Sequence, residues 1–335
     1  MRRLAGAGAL GAVVAGSVAV AALVVLVTAG ASGDQTAGPD GWDEVVERVR
    51  EQVRAHTFTG VVAVEWYDGG AHHRERIEVS HAGGVVHVEG DDSLVVSEEA
   101  AALHDGAGWE VLARRSVVAD AELASRKYVV EERDGPLVAG RPTTVFEARH
   151  EGVAVERVYV DDDSGVALRR ERLDPDGRVV RAVTFERLEI DVPMATSYTV
   201  AAAPAPEAVE DLDDARDPRR AGPGFALLGR WLHRDGTAQL LYSDGVLAVS
   251  VFEQRGELVW EALPPGEDVR VGGAPARAYS LPAGEVVVFE RDGLVFTCVG
   301  DASRADLLAL AADVSAPRDP IWRRLGDTVL APFRW

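Results

Sequence analysis

Lysine is all but missing from this chain: Lys127 is the only one, asparagine does not occur, and isoleucine and methionine are scarce. Ala, Gly, Val, Arg and Asp abound instead, a skew that a GC-rich coding sequence explains, so no mechanism attaches to the missing lysines. Positive charge is also short, with 35 Lys and Arg against 55 Asp and Glu and a formal net charge of −20. That balance argues against non-specific nucleic-acid binding, which needs cations to displace phosphate counterions, and no nucleic-acid partner is expected. Cys298 is the single cysteine, which excludes an intramolecular disulfide. In the strand-like run 295–299 its thiol reads as a small buried apolar residue, without a nearby basic group to activate it.

Catalytic signatures are lacking too. No nucleophile elbow, zincin helix, phosphate loop or dinucleotide fingerprint occurs. Glu98-Glu99 and Glu131-Glu132 are adjacent pairs, which on a strand point to opposite faces and cannot act as an acid/base couple. His72, His73, His81 and His87 cluster in sequence, but a zinc site needs three or four convergent ligands, and exposed strand histidines are the plainer account. Asp161-Asp162-Asp163 lacks the closing Glu of a calcium loop and reads as a solvated turn. The chain is expected to be no enzyme, with no cofactor and no metal.

What is present begins at the N-terminus. Arg2 and Arg3 precede an uncharged stretch over residues 4–31, and Asp34, Asp40, Asp43 and Glu44 follow it. As a helix rising about 1.5 Å per residue, it spans roughly 40 Å, enough for a hydrocarbon core of about 30 Å. The charge asymmetry puts the N-terminus inside and the body outside. Cleavage after Ala29-Gly30-Ala31 would release the body, whereas the length of the stretch favours a retained anchor in the cytoplasmic membrane. Either way the body works outside the cytoplasm.

Trp42, Val45, Val46, Val49 and Val53 recur at helical spacing and predict one amphipathic helix. From Thr57 the period changes to two. Strands are predicted at 76–80, 85–89, 94–97, 109–112, 127–132, 143–149, 153–160, 166–172 and 179–190, separated by Asp/Gly-rich turns. Short loops between so many strands imply antiparallel meanders. Residues 191–222 read as an acidic Pro/Ala linker. A second unit, 223–314, has predicted strands at 238–242, 246–252, 276–281, 285–291 and 294–299 and a closing helix at 302–313. The expected fold is therefore α+β: a large curved antiparallel half-barrel sheet with a covering helix over 42–190, plus a smaller α+β domain. A tail over 315–335 carries Ile321, Trp322, Leu325, Val329 and Trp335, with Arg318, Arg323, Arg324 and Arg334 outnumbering Asp319 and Asp327. It reads as an amphipathic segment that docks on the second domain or touches membrane or partner.

The apolar face Phe58, Val62, Val64, Trp66 carries two readings: packing against the helix, or lining a cavity for acyl chains. The run Thr57-Phe58-Thr59-Gly60-Val61-Val62-Ala63-Val64 after a helix resembles the opening segment of the MucB/RseB family of periplasmic regulators. Leu240-Leu241-Tyr242-Ser243-Asp244-Gly245-Val246-Leu247 is similar to that family's Tyr-Ser-Asp-Gly strand pair, and Gly272-Gly273-Ala274 with Arg277-Ala278-Tyr279 fits less specifically. The resemblance spans most of the exported body. It implies a half-barrel like those of lipoprotein carriers (LolA/LppX-like), followed by a domain that helps bind the outer part of a membrane anti-sigma factor and shields it from proteolysis until lipid-like envelope signals release it. Tyr242, Ser243, Asp244, Gly245, Trp322 and Trp335 are then the candidate partner contacts. The anchor, the acidic linker and the tail depart from the family pattern. A lipid or lipoprotein carrier is the alternative, and a structural envelope protein a third; an anchor and a second domain both favour regulation over shuttling.

Overall fold

The computed structural model describes residues 3–4, 41–89, 93–96, 100–104, 109–114, 121–193, 207–209, 218–282 and 284–315. After the two-residue β1 (Arg3–Leu4), α1 spans Trp42–Ala55. Trp42, Val45, Val49 and Val53 fall on one side of it and are buried, so its helical period is the imprint of a single covered face. Eleven strands follow: β2 (Phe58–Asp68), β3 (Ala71–Ala82), β4 (Val85–Glu89), β5 (Ser93–Val96), β6 (Ala100–His104), β7 (Trp109–Arg114), then the short α2 (Ala121–Lys127), then β8 (Val129–Asp134), β9 (Thr143–His150), β10 (Val153–Asp161), β11 (Ala167–Leu173) and β12 (Val179–Ile190).

These strands form one antiparallel sheet in the order β7-β6-β5-β4-β3-β2-β12-β11-β10-β9-β8. Two meanders, β2 to β7 and β8 to β12, are joined by the pairing of the first strand with the last, Val64 opposite Val183. Gly69 and Gly70, with φ of 55° and 84°, make the tight turn from β2 to β3 that such positive angles require. Gly60 serves a different need. It faces the bulge in β12 after Phe185, where a Cβ would stand 2.5 Å from the Arg187 carbonyl oxygen.

The second sheet contains β13 (Glu207–Ala208), β14 (Arg220–Ala221), β15 (Phe225–Leu232), β16 (Ala238–Ser243), β17 (Ala248–Arg255), β19 (Glu267–Val271), β20 (Ala274–Leu281), β21 (Gly284–Arg291) and β22 (Leu294–Gly300). Its path runs β13-β15-β16-β17-β22-β21-β20-β19, with β14 beside β15; the remaining strand, β18 (Glu257–Leu258), pairs with β1. α3 (Arg304–Val314) closes it, started by Ser303, whose hydroxyl accepts from the Asp306 amide and donates to the Asp306 carboxylate. Leu307, Leu310, Ala311 and Val314 are buried beneath that helix.

The α+β expectation of a large antiparallel sheet followed by a smaller sheet with its own helix is what the structure has. Several elements were not predicted. β6, α2, β15 and β19 carry no clean alternation or helical period. Within 191–222, read as an extended linker, β13 and β14 pair with β15. The core is also continuous: Trp42, Val62, Leu168, Leu240, Phe289 and Leu307 belong to one buried cluster reaching from α1 to α3. Among the described residues no helix is long and apolar enough to cross a membrane. The stretch 5–31 and the tail with Trp322 and Trp335 lie outside the described residues.

Candidate functional site: the junction between the two sheets

Phe58, Val62, Val64 and Trp66 alternate along β2 onto its inner face, and all four are buried, Val62 and Val64 with no exposed surface. Trp66 stacks on His73 across the β2–β3 hairpin (centroids 5.1 Å apart), while on the opposite face Tyr67 tilts against His72. His81 stacks on Phe58 at 4.6 Å and its Nδ1–H donates to the His56 carbonyl. His72, His73 and His81 thus each face an aromatic ring, and among the described residues no group of three ligating side chains could hold a metal.

Tyr242, Ser243, Asp244 and Gly245 end β16 and begin its turn, and they too are enclosed. Asp244 Oδ1 accepts from the amides of Val246 and Leu247, which shapes the turn. Its Oδ2 accepts from Lys127 Nζ at 2.5 Å and Tyr128 Oη at 2.6 Å, both contributed by the end of α2 in the first sheet. Burial and the Asp244 charge push the Tyr128 hydroxyl far above its ordinary pKa, so it remains a donor. Ser243 Oγ donates to the Leu247 carbonyl, Tyr242 Oη to Pro218, and Gly245 touches the backbone of Ala124. The candidate contact residues of the turn therefore serve contacts within the chain, binding the second sheet to α2.

A second set of charges meets beyond that clamp. Arg170, Arg172 and Arg181 project from the inner face of β11 and β12 toward Asp301, which follows β22. Arg170 forks onto the buried Glu156 with bonds of 2.8 and 2.7 Å. Burial alone would lower Arg170, but Glu156 and Asp301 outweigh it and hold the guanidinium above its usual range. Arg181 Nη1 donates to Asp301 Oδ1 at 3.1 Å, while its Nε is buried with no partner among the described residues. Arg304, the first residue of α3, donates to Glu285 and Glu267.

Between these groups lies a cleft of about 670 Å³, walled by Val153, Val155, Leu173 and Arg172 on one side and by Glu267, Ser280, Glu285 and Arg304 on the other. Arg304 pairs with Glu285, Ser280 Oγ donates to Glu285 Oε1 at 2.8 Å, and apolar side chains lie between the charged groups. Sequence reasoning missed it because its walls come from strands far apart in the chain, β10 and β11 on one side and β19 to β21 on the other. The only local signal was arginines on a strand face that should be apolar.

No family model matches the chain, and no curated protein matches it. Solved structures do. Pseudomonas aeruginosa MucB in its complex with MucA is similar over 80% of this chain and 96% of that one, at 20% identity and a TM-score of 0.49. A second MucB structure, in complex with periplasmic MucA, covers 81% of this chain and 97% of its own at 21% identity and a TM-score of 0.47. A LolA superfamily protein of Nitrosomonas europaea aligns over 78% of this chain and 92% of its own, at 9% identity and a TM-score of 0.21. MucB, named by the sequence resemblance at the 57–64 and 240–247 segments, is thus also among the solved structures to which this chain is similar.

Proposed function

We propose that this chain is an extracytoplasmic regulator that binds the outer part of a membrane anti-sigma factor, with the cleft at the sheet junction receiving a segment of that partner. One observation carries the reading: the turn that bears the family resemblance is the clamp of the junction, because Asp244 ties β16 to Lys127 and Tyr128 of the other sheet. A clamp of that kind holds two walls at a fixed separation, which a binding cleft needs to keep its groups pre-organised. The chain is read as a binding protein without catalysis, held at the membrane by residues 4–31. Arg3 and Leu4 lie beside Glu257 and Leu258, whereas the anchored reading puts Arg3 across the membrane from them, so the mature N-terminus in membrane fractions decides between anchor and cleaved signal.

Lipid sensing through Phe58, Val62, Val64 and Trp66 belongs to the same reading, and it requires core side chains to give way, since this face is covered. The carrier alternative would need the face open. Trp66→Glu should abolish uptake of a fluorescent fatty acid in a chain that still folds if acyl chains enter there; unchanged uptake removes that element. The principal test is co-purification of the full chain from native membranes with mass spectrometry of proteins and lipids. Recovery of a membrane anti-sigma factor is the expected result. Recovery of lipid alone would replace regulation with carriage.

A further inference from the structure

We infer that the junction cleft seats this chain's own C-terminal segment, residues 318–335, with Trp322 against its apolar wall and Arg323 and Arg324 among its carboxylates. The cleft is acidic: Glu151, Asp174, Glu267, Glu285, Asp301 and Asp306 line it against three arginines. Those arginines are engaged, Arg304 with Glu267 and Glu285, Arg181 with Asp301, and Arg172 with the carbonyl oxygens of Asp301 and Val155. Glu151 and Asp174 on the first sheet and Asp306 on α3 have no cation within ion-pair distance among the described residues. Apolar surface lies open beside them. Tyr67 and Val153, two of the five large apolar side chains exposed among the described residues, both line the cleft. An occupant both cationic and apolar offsets that charge and covers that surface.

The C-terminal segment has that chemistry. Of the stretches between residues 5 and 315 that lie outside the described residues, none has net positive charge, and 210–217 is strongly acidic. Residues 316–335 carry Arg318, Arg323, Arg324 and Arg334 against Asp319 and Asp327, with Ile321, Trp322 and Leu325 among them. The reach is right as well. Arg291 ties Ser315, the last described residue, to the carbonyl groups of Val271 and Gly272 at the far end of β19. Arg304 meets Glu267 at the near end, beside the cleft. α3 thus runs alongside β19 away from the cleft, and its 11 residues rise about 16 Å at ~1.5 Å per residue. Pro317 and Pro320 keep that helix from continuing and favour extended backbone in the residues before them. Extended chain covers about 3.3 Å per residue, so about five residues lead back, and residues 321–325 arrive at the cleft. No described strand flanks the outer side of β19 to bar that path. A partner segment entering the cleft has to displace this one, but the seat does not rest on which partner that is.

The test uses the full chain with Val153→Cys carrying bimane, a fluorophore that tryptophan quenches on contact; Cys298 is buried and stays unlabelled. Emission should be low in this protein and should recover when Trp322→Phe is added, or when Arg323→Glu and Arg324→Glu are added together. It should also recover in about 1 M salt, where the screening length falls to about 3 Å. Tyr67→Cys, labelled in the same way, views the same cleft from a second position and should behave alike. Emission that Trp322→Phe leaves unchanged at both positions overturns the inference. So does quenching indifferent to both salt and the arginine substitutions, and so does quenching that fades on dilution, which would assign the occupant to a second copy of the chain. Capture of an anti-sigma factor reports separately on the proposed function. Capture together with emission that Trp322→Phe leaves unchanged overturns this inference alone, and quenching without capture overturns the proposed function alone.

Discussion

Lys127, the only lysine of the chain, places its Nζ 2.5 Å from Oδ2 of Asp244, a carboxylate with no exposed surface on the other sheet. Tyr128 donates to the same oxygen, so one acceptor receives two donors from consecutive residues of α2 and its exit. Removing the acceptor leaves both donors facing a buried gap. Asp244→Ala should cost about 3–5 kcal/mol, the scale of breaking a buried charge pair from one side. Tyr128→Phe removes one hydrogen bond to a charged group and should cost about 1.5–3 kcal/mol. Urea unfolding of the three proteins checks the order; an Asp244→Ala variant as stable as the parent would remove the clamp from the account.

Gly245 is held at φ +98°, and a Cβ there would stand 2.2 Å from the Ala124 nitrogen and 2.5 Å from its Cα. Gly224 has a similar angle, +92°, but nothing within 4 Å. Both Gly→Ala changes incur the backbone strain of a positive φ, of order 1–3 kcal/mol. Only Gly245→Ala must also push α2 away, an overpacking cost of about 1–3 kcal/mol more. The difference between the two melting temperatures therefore measures the contact between the sheets, and equal losses would mean that α2 yields freely.

His81 is fully buried, its Nε2 has no hydrogen-bond partner among the described residues, and burial lowers its pKa against the weaker pull of the His56 carbonyl. The folded chain thus resists a proton that the unfolded chain accepts near pH 6.5. The stability due to neutral His81 is complete above that unfolded value and is lost as the pH falls below it toward the folded value. His81→Phe should flatten the stability-versus-pH curve between pH 7 and 5, measured by urea titration. A curve unchanged by the substitution would assign the acid sensitivity to other groups.

Phe58 lies under that imidazole and meets Phe185 edge-on, with centroids 5.9 Å apart. Phe58→Ala should cost about 3–5 kcal/mol, the range for truncating a buried aromatic. A loss under 1 kcal/mol, together with unchanged uptake of fluorescent fatty acid, would show that this part of β2 neither packs a core nor lines a cavity.

How far the sequence reaches can be followed residue by residue. Trp42, Val45, Val49 and Val53 announce α1 because a helix must keep its apolar residues on one side, and the alternation around Val62 and Val64 announces a strand for the matching reason. Gly69-Gly70 marks a turn by its conformational freedom alone. All of this is local physics, carried by neighbours in the chain. Nothing local says that β2 pairs with β12, or that Asp244 meets Lys127, because both contacts depend on how whole sheets are assembled. Ser243, Asp244 and Gly245 read as a turn, and the family resemblance names them as candidate partner contacts, but nothing in that run says what packs on it. The tertiary structure sets the end of α2 against it, where Lys127 and Tyr128 donate to the buried carboxylate. The cleft has the same origin. Arg172 and Glu267 share it only because two antiparallel sheets bring strands distant in sequence to one junction.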